Sequence, residues 1–138
     1  MVPIHAYVGF NGKCREAMAF YQECFGGELN IMIVGETPMA DQMPPGAKDT
    51  VMHASLIGSN FALFGSDMAG PDFQVGNNIT LSIAPTSEED LRSLFAKLSE
   101  GGNVDMPITP MFWGALFTHF VDKFGVTWML NYELPKAA

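Results

Sequence analysis

A chain of 138 residues that is 48% apolar and 16% charged carries enough hydrocarbon to fill a core, which excludes disorder. Seven Lys and Arg against fifteen Asp and Glu leave a formal charge of -8, with no cluster of cations. That balance excludes a reader of nucleic-acid phosphates and disfavours an anionic membrane surface. The length fits one domain or two small halves packed together. No run reaches the roughly 18 apolar residues of a membrane span, and no basic segment followed by an apolar one marks a secretory signal.

In chain order, Ile4 to Phe10 alternates as a strand, with Ile4, Ala6, Val8 and Phe10 on one side and His5, Tyr7 and Gly9 on the other. A helix follows, with Asn11 expected as its N-cap and an apolar stripe of Ala17, Phe20, Tyr21, Cys24 and Phe25. Gly26 and Gly27 end it. Cys14 and Cys24 both fall on this helix, about 15 Å apart along its axis, beyond the roughly 7 Å that a disulfide spans. Two free thiols place the protein in the cytoplasm. Strands are expected at Glu28 to Val34, Val51 to Ile57 and Phe61 to Gly65, the last two joined by a Gly58-Ser59-Asn60 turn. Between the first two of these, Gly35 to Asp49 holds Pro38, Pro44, Pro45 and Gly46, and reads as an irregular segment that is either a lid over a pocket or a plain surface loop.

The second half repeats the order. Asn78 to Ala84 alternates as a strand, Thr86 and Glu89 form a capping box, and Leu91, Leu94, Phe95 and Leu98 make the helix stripe. Gly101 and Gly102 stop the helix, and strands are expected near Asn103 to Ile108, Ala115 to Val121 and Val126 to Tyr132. The glycine pairs at 26 and 101 and the strand starts at 4 and 79 share an offset of 75 residues. The chain therefore reads as two βαβββ modules, about 1–68 and 76–134, joined by a Gly- and Pro-bearing linker from Ser66 to Gly76. Glu88, Glu89 and Asp90 lie in a first helical turn, where acids favour the helix dipole.

The apolar sides of the first and fifth strands need the helix stripes as partners, so their other sides face away. Those sides carry His5, Tyr7, Thr80 and Ser82, polar groups suited to a ligand pocket. Trp113, beside Gly114, suits a pocket wall or a contact between two copies; Trp128, alternating with Val126 and Leu130, reads as core. Several methionines, among them Met32, Met39, Met43 and Met129, offer adaptable apolar surface or fill the core. No Gly-x-Ser-x-Gly elbow, P-loop, Cys-x-x-Cys or His-Glu-x-x-His occurs, and the three histidines are too scattered in sequence to compose a nucleophile triad.

The stretch from Phe20-Tyr21 to Phe25-Gly26-Gly27-Glu28, the pair His53-Ala54, and Gly101-Gly102-x-Val104-x-Met106-Pro107 have a family pattern, as does Phe112-Trp113-Gly114 followed by Asp122-Lys123-Phe124-Gly125-Val126-x-Trp128-Met129-x-Asn131. From about residue 4 to 132 the chain resembles the vicinal oxygen chelate superfamily (the glyoxalase, bleomycin-resistance and dioxygenase fold), and within it the PhnB-like branch. The resemblance implies an α+β fold in which two βαβββ modules form a curved mixed sheet, a cup, usually in a homodimer. It also implies, in the metal-using members, one ligand from the first and fourth strand of each module, which falls here on His5, Phe64, Thr80 and Met129. Phenylalanine offers no donor and methionine suits soft metals, so His5 alone is a weak candidate ligand and no cofactor is expected. The methyltransferase label common in this branch is set aside, because no Gly-rich nucleotide-type loop follows the first strand.

The expected function is therefore binding of a small molecule in a cup-shaped pocket by His5, Tyr7, Thr80, Ser82, Trp113, Met129 and Asn131. The alternative is a metal-dependent lyase, isomerase or dioxygenase of the vicinal oxygen chelate type. A third reading is a protein whose main business is self-association through the apolar stretch Met111 to Val121.

Overall fold

A computed structural model describes residues 2–68 and 70–136. The chain divides after Gln74 into two compact units, each a four-stranded mixed sheet with one helix on one face. The first unit runs β1 (Ala6–Gly9), α1 (Cys14–Phe25), β2 (Glu28–Ile33), β3 (Val51–Ile57) and β4 (Ala62–Ser66), in the sheet order β1-β4-β3-β2. The second runs β5 (Leu81–Ile83), α2 (Glu88–Leu98), β6 (Asn103–Met111), β7 (Ala115–Val121) and β8 (Thr127–Glu133), in the order β5-β8-β7-β6. In each unit the first strand pairs parallel with the last, and the remaining pairs are antiparallel. The expected βαβββ order is found twice.

Helix stripes explain which sheet face is covered. In the first unit Cys14, Ala17, Met18, Phe20 and Tyr21 are buried, and a Cβ built on Gly65 would meet Met18, Phe10 and Cys14 within 3.2 Å. Gly65 pairs with Val8 and Ala54, so these positions form the helix-covered face. Phe64, which pairs with Tyr7 and Ser55, points to the other side. In the second unit Leu91 and Leu98 of α2 are buried and Phe95 meets Phe120 of β7 edge-to-face at 5.7 Å. Trp128 and Leu130 of β8 are buried with them, so Trp128 is a core residue.

Both glycine pairs have a packing reason. Gly27 has φ +95° and a Cβ there would stand 2.8 Å from the carbonyl oxygen of Ile57, while a Cβ on Gly102 would collide with the carbonyl oxygen of Val121. Ile57 and Val121 are the last residues of β3 and β7, so each glycine lets the chain leaving the helix press against the same corner of its sheet.

Several local expectations are corrected. Asn11 does not cap α1: the helix starts at Cys14, and the carboxylate of Asp67 accepts from Gly12 N at 2.9 Å and Cys14 N at 3.1 Å. The cap of α2 is Ser87, not Thr86, with its Oγ accepting from Asp90 N at 3.0 Å. The first and fifth strands are shorter than alternation implied, leaving His5 and Thr80 just outside them. The sixth runs on to Met111 through Pro107 and Pro110, which an edge strand with register shifts tolerates because proline lacks a ladder donor. The irregular segment after β2 folds as three short 3-10 turns, Val34–Glu36, Pro38–Gln42 and Pro45–Ala47.

Candidate functional site

The uncovered face of the first sheet gathers rings from three segments. His5 precedes β1 and Tyr7 lies on it, Phe64 on β4 and His53 on β3. Their centroids are close: His5 to Phe64 at 5.5 Å edge-to-face, Phe64 to His53 at 5.6 Å stacked, and His53 to Tyr7 at 5.7 Å. These are ordinary separations for favourable aromatic pairs. Such a cluster would normally be buried, yet Tyr7 keeps 59% of its surface exposed.

Beside Tyr7, at the end of β1 and β4, a cleft of about 280 Å3 is lined by Tyr7, Gly9, Met39, Met52, Ser66 and Met68. Met39 comes from the second 3-10 turn, so the segment read as a lid or a plain surface loop does contribute to a pocket. Ser66 fixes the cleft floor, donating to the Met52 carbonyl oxygen at 2.7 Å and accepting from Met68 N at 2.9 Å. Alternation alone indicated neither His53 and Phe64 as neighbours of His5 and Tyr7 nor the three methionines together; strand order decides the first, and the fold of the 3-10 segment that carries Met39 enters the second.

The uncovered face of the second sheet carries the remaining candidates. Ser82 pairs with Met129, and Met129 with His119. Asn131 pairs with Phe117, and its Oδ1 accepts from Trp113 Nε1 at 3.2 Å. Trp113 also meets Phe117 edge-to-face at 6.1 Å. Thr80 Oγ1 lies 3.5 Å from His119 Nε2, while His119 Nδ1 lies 2.8 Å from both oxygens of Asp105. That hydrogen bond holds the Asp105 carboxyl below its ordinary range. His119 and Asp105 do not stand out in the sequence.

The four positions that the resemblance assigns to a metal carry an imidazole, a hydrocarbon ring, a hydroxyl and a thioether, on His5, Phe64, Thr80 and Met129. The first two are in ring contact, which fills the space beside the imidazole with carbon. This donor set does not fit a divalent ion. Among the described residues, no group of three or more His, Cys, Asp or Glu side chains is placed to hold one.

Paired βαβββ units of this kind define the fold of the glyoxalase/bleomycin-resistance/dioxygenase proteins. The fosfomycin resistance protein FosX from Listeria monocytogenes shares it with a TM-score of 0.63 at 14% identity, covering 97% of this chain and 94% of that one. More narrowly, residues 3–131 match the family model described as 3-demethylubiquinone-9 3-methyltransferase, and the chain belongs to that family. It is 32% identical over 143 residues to Protein YjdN of Escherichia coli (strain K12), covering 94% of this chain and 95% of that protein. The crystal structure of protein PA1353 from Pseudomonas aeruginosa is 40% identical, with a TM-score of 0.83 and 96% and 98% of the two chains covered. The PhnB protein from Bacillus cereus, a putative 3-demethylubiquinone-9 3-methyltransferase, is 27% identical with a TM-score of 0.75, covering 95% and 99%. The chain is a PhnB-like member of the glyoxalase/bleomycin-resistance superfamily.

Proposed function

We propose that this chain binds a small, largely apolar molecule without a resident metal, on the uncovered face of the first sheet. The observation that carries the reading is the half-open ring cluster of His5, Tyr7, His53 and Phe64 running into the methionine-lined cleft. Rings supply a flat surface, methionine side chains adapt to an irregular outline, and His5 and Tyr7 supply the few polar groups that fix orientation.

Methyl transfer is not part of this proposal. The turn between β1 and α1, where a nucleotide-type cofactor would sit against backbone N–H groups, has Gly12 N and Cys14 N already bound by the chain's own Asp67. Two unbridged cysteines support a cytoplasmic setting, and the exposed Phe112 and Trp113 support a homodimer.

The test is titration with the neutral, apolar dye Nile red. Wild-type protein should bind it saturably. His5→Ala and Tyr7→Ala, on exposed side chains, should keep the wild-type circular dichroism and bind about three- to tenfold more weakly, the scale of one lost ring contact. Undiminished binding in both variants would remove these residues from the site.

A further inference from the structure

The second sheet carries a hydrogen-bonded chain for which ligand binding by the first sheet has no use. Asp105 on β6 meets His119 Nδ1 with both carboxylate oxygens at 2.8 Å, and Thr80 Oγ1 lies 3.5 Å from His119 Nε2. An ionised carboxylate only accepts, so Nδ1 carries a proton toward Asp105 and Nε2 points away from it. The contact is built by an irregularity. Register shifts between Val104 and Met106, so that β6 has an extra residue there, which turns Asp105 toward His119. Bulges occur at sheet edges, where β6 lies, and next to active sites, where they re-aim a side chain.

The surroundings of Nε2 define what it would meet. Its partner is the Thr80 hydroxyl, and at 3.5 Å that contact is weak enough for an incoming group to displace it readily. Next to His119 on β8 is Met129, and two residues back along β7 is Phe117, flanked by Asn131 and Trp113. Same-face neighbours on a strand stand about 7 Å apart, the length of a six-membered ring with its substituent oxygen. Ser82 from β5 and Met129 and Asn131 from β8 are uncharged; Glu133 lies further along β8, opposite Ala115. Asp105 is thus the anionic group in contact with this imidazole.

We propose that His119, oriented by Asp105, is the proton acceptor for a bound planar aromatic acid, a ring bearing an ionisable O–H. The ring lies against Phe117 and Trp113, and its O–H replaces the Thr80 hydroxyl at Nε2. The O–H bond breaks heterolytically, its electron pair stays on oxygen, and the proton forms Nε2–H. An imidazolium beside an aryloxide results, with Nδ1–H still held by Asp105, and no oxidant or further reactant enters. His119 is the residue that touches the ligand; Asp105 is a positioning residue. The inference does not depend on what the first sheet binds.

The probe is 4-nitrophenol, whose anion absorbs visibly, used at a pH where the free compound is mostly protonated. Wild-type protein should raise the anion band saturably, whereas 4-nitroanisole, which lacks the proton, should give no such band. His119→Gln should abolish the rise. Asp105→Asn should require about tenfold lower proton concentration for the same anion fraction, the scale of one hydrogen bond to a charged group, with Asp105→Glu restoring part of it. A purely structural role for Asp105 would leave that pH profile in place. Thr80→Val should keep the rise. No anion gain in wild type, or an undiminished gain in a folded His119→Gln, would overturn the proposal. Should His119→Gln fail to fold, an unshifted pH profile in Asp105→Asn would overturn it equally.

Discussion

Cys14 shows how burial decides the chemistry of a single atom. Its thiol is wholly buried beneath the first sheet, and desolvation, with the negative charge of Asp67 adding to it, pushes its pKa up to about 12 from 9.0. A thiol held protonated is a poor nucleophile, so Cys14 should resist iodoacetamide in the native protein and react on unfolding, as mass spectrometry of the alkylated chain would show. The folded state keeps its proton where the unfolded chain loses it. The contribution is therefore complete below about pH 9 and falls as pH rises toward about 12, by at most about 1.4 kcal/mol per unit. Urea midpoints should drop more steeply between those limits in wild type than in Cys14→Ala. Asp122 is a second buried group, and it holds a turn in place. Its Oδ1 accepts from Phe124 N at 2.8 Å and Val126 N at 3.1 Å, and its Oδ2 from Trp128 Nε1 at 2.8 Å. Asp122→Ala should cost at least about 1–3 kcal/mol in a denaturant titration, because these donors lose their acceptor. The sequence displayed Asp122 and Trp128 as parts of a family pattern and Trp128 as core; that one ties the turn to the other is a matter of three-dimensional reach. The Asp105–His119 contact was less legible still. Alternation puts His119 beside Phe117, but its partner depends on an extra residue in β6 that no pattern of apolar residues announces.

At the level of elements, apolar period and glycine pairs were enough to find both helices and all eight strands of the described residues, because each has one covered face and therefore one repeating pattern. Ends were less legible. Asn11 and Thr86 have capping side chains close to the right place, yet Ser87 caps α2 and α1 takes its acceptor from Asp67, far along the chain. Asp67→Ala should accordingly destabilise the protein by about 1 kcal/mol, the usual worth of an N-terminal cap, as read from the thermal midpoint. Gly102→Ala should be more damaging than an ordinary glycine substitution, since a methyl group there strikes the Val121 carbonyl oxygen, which belongs to a paired strand. We expect a loss above the roughly 1 kcal/mol that separates the two residues by propensity, measured by urea unfolding.

Across the whole molecule, the two units share their topology and differ in one connection. Between β6 and β7 the chain turns through Phe112–Gly114, while between β2 and β3 it makes three 3-10 turns, one of which lends Met39 to the cleft. The unit with the longer connection carries the methionine-lined recess. Elemental analysis of protein exposed to zinc, nickel, manganese and iron(II) should find no stoichiometric ion. Metal that binds and is lost in His5→Ala would restore a metal-dependent reading. Light scattering at micromolar concentration should give the mass of a dimer, and a monomer mass would remove the self-association surface at Phe112 and Trp113.

The distant cap of α1 has a bearing on how the protein is made. Cys14 is added 53 residues before Asp67, so the N-terminus of α1 has only water as the acceptor at Cys14 N until the segment after β4 has been made. The second unit has no such wait, because Ser87 and the turn it serves emerge together. The first helix is thus completed by the residue that follows the last strand of its own unit, and a pause in translation before Asp67 would leave its N-terminus without that acceptor.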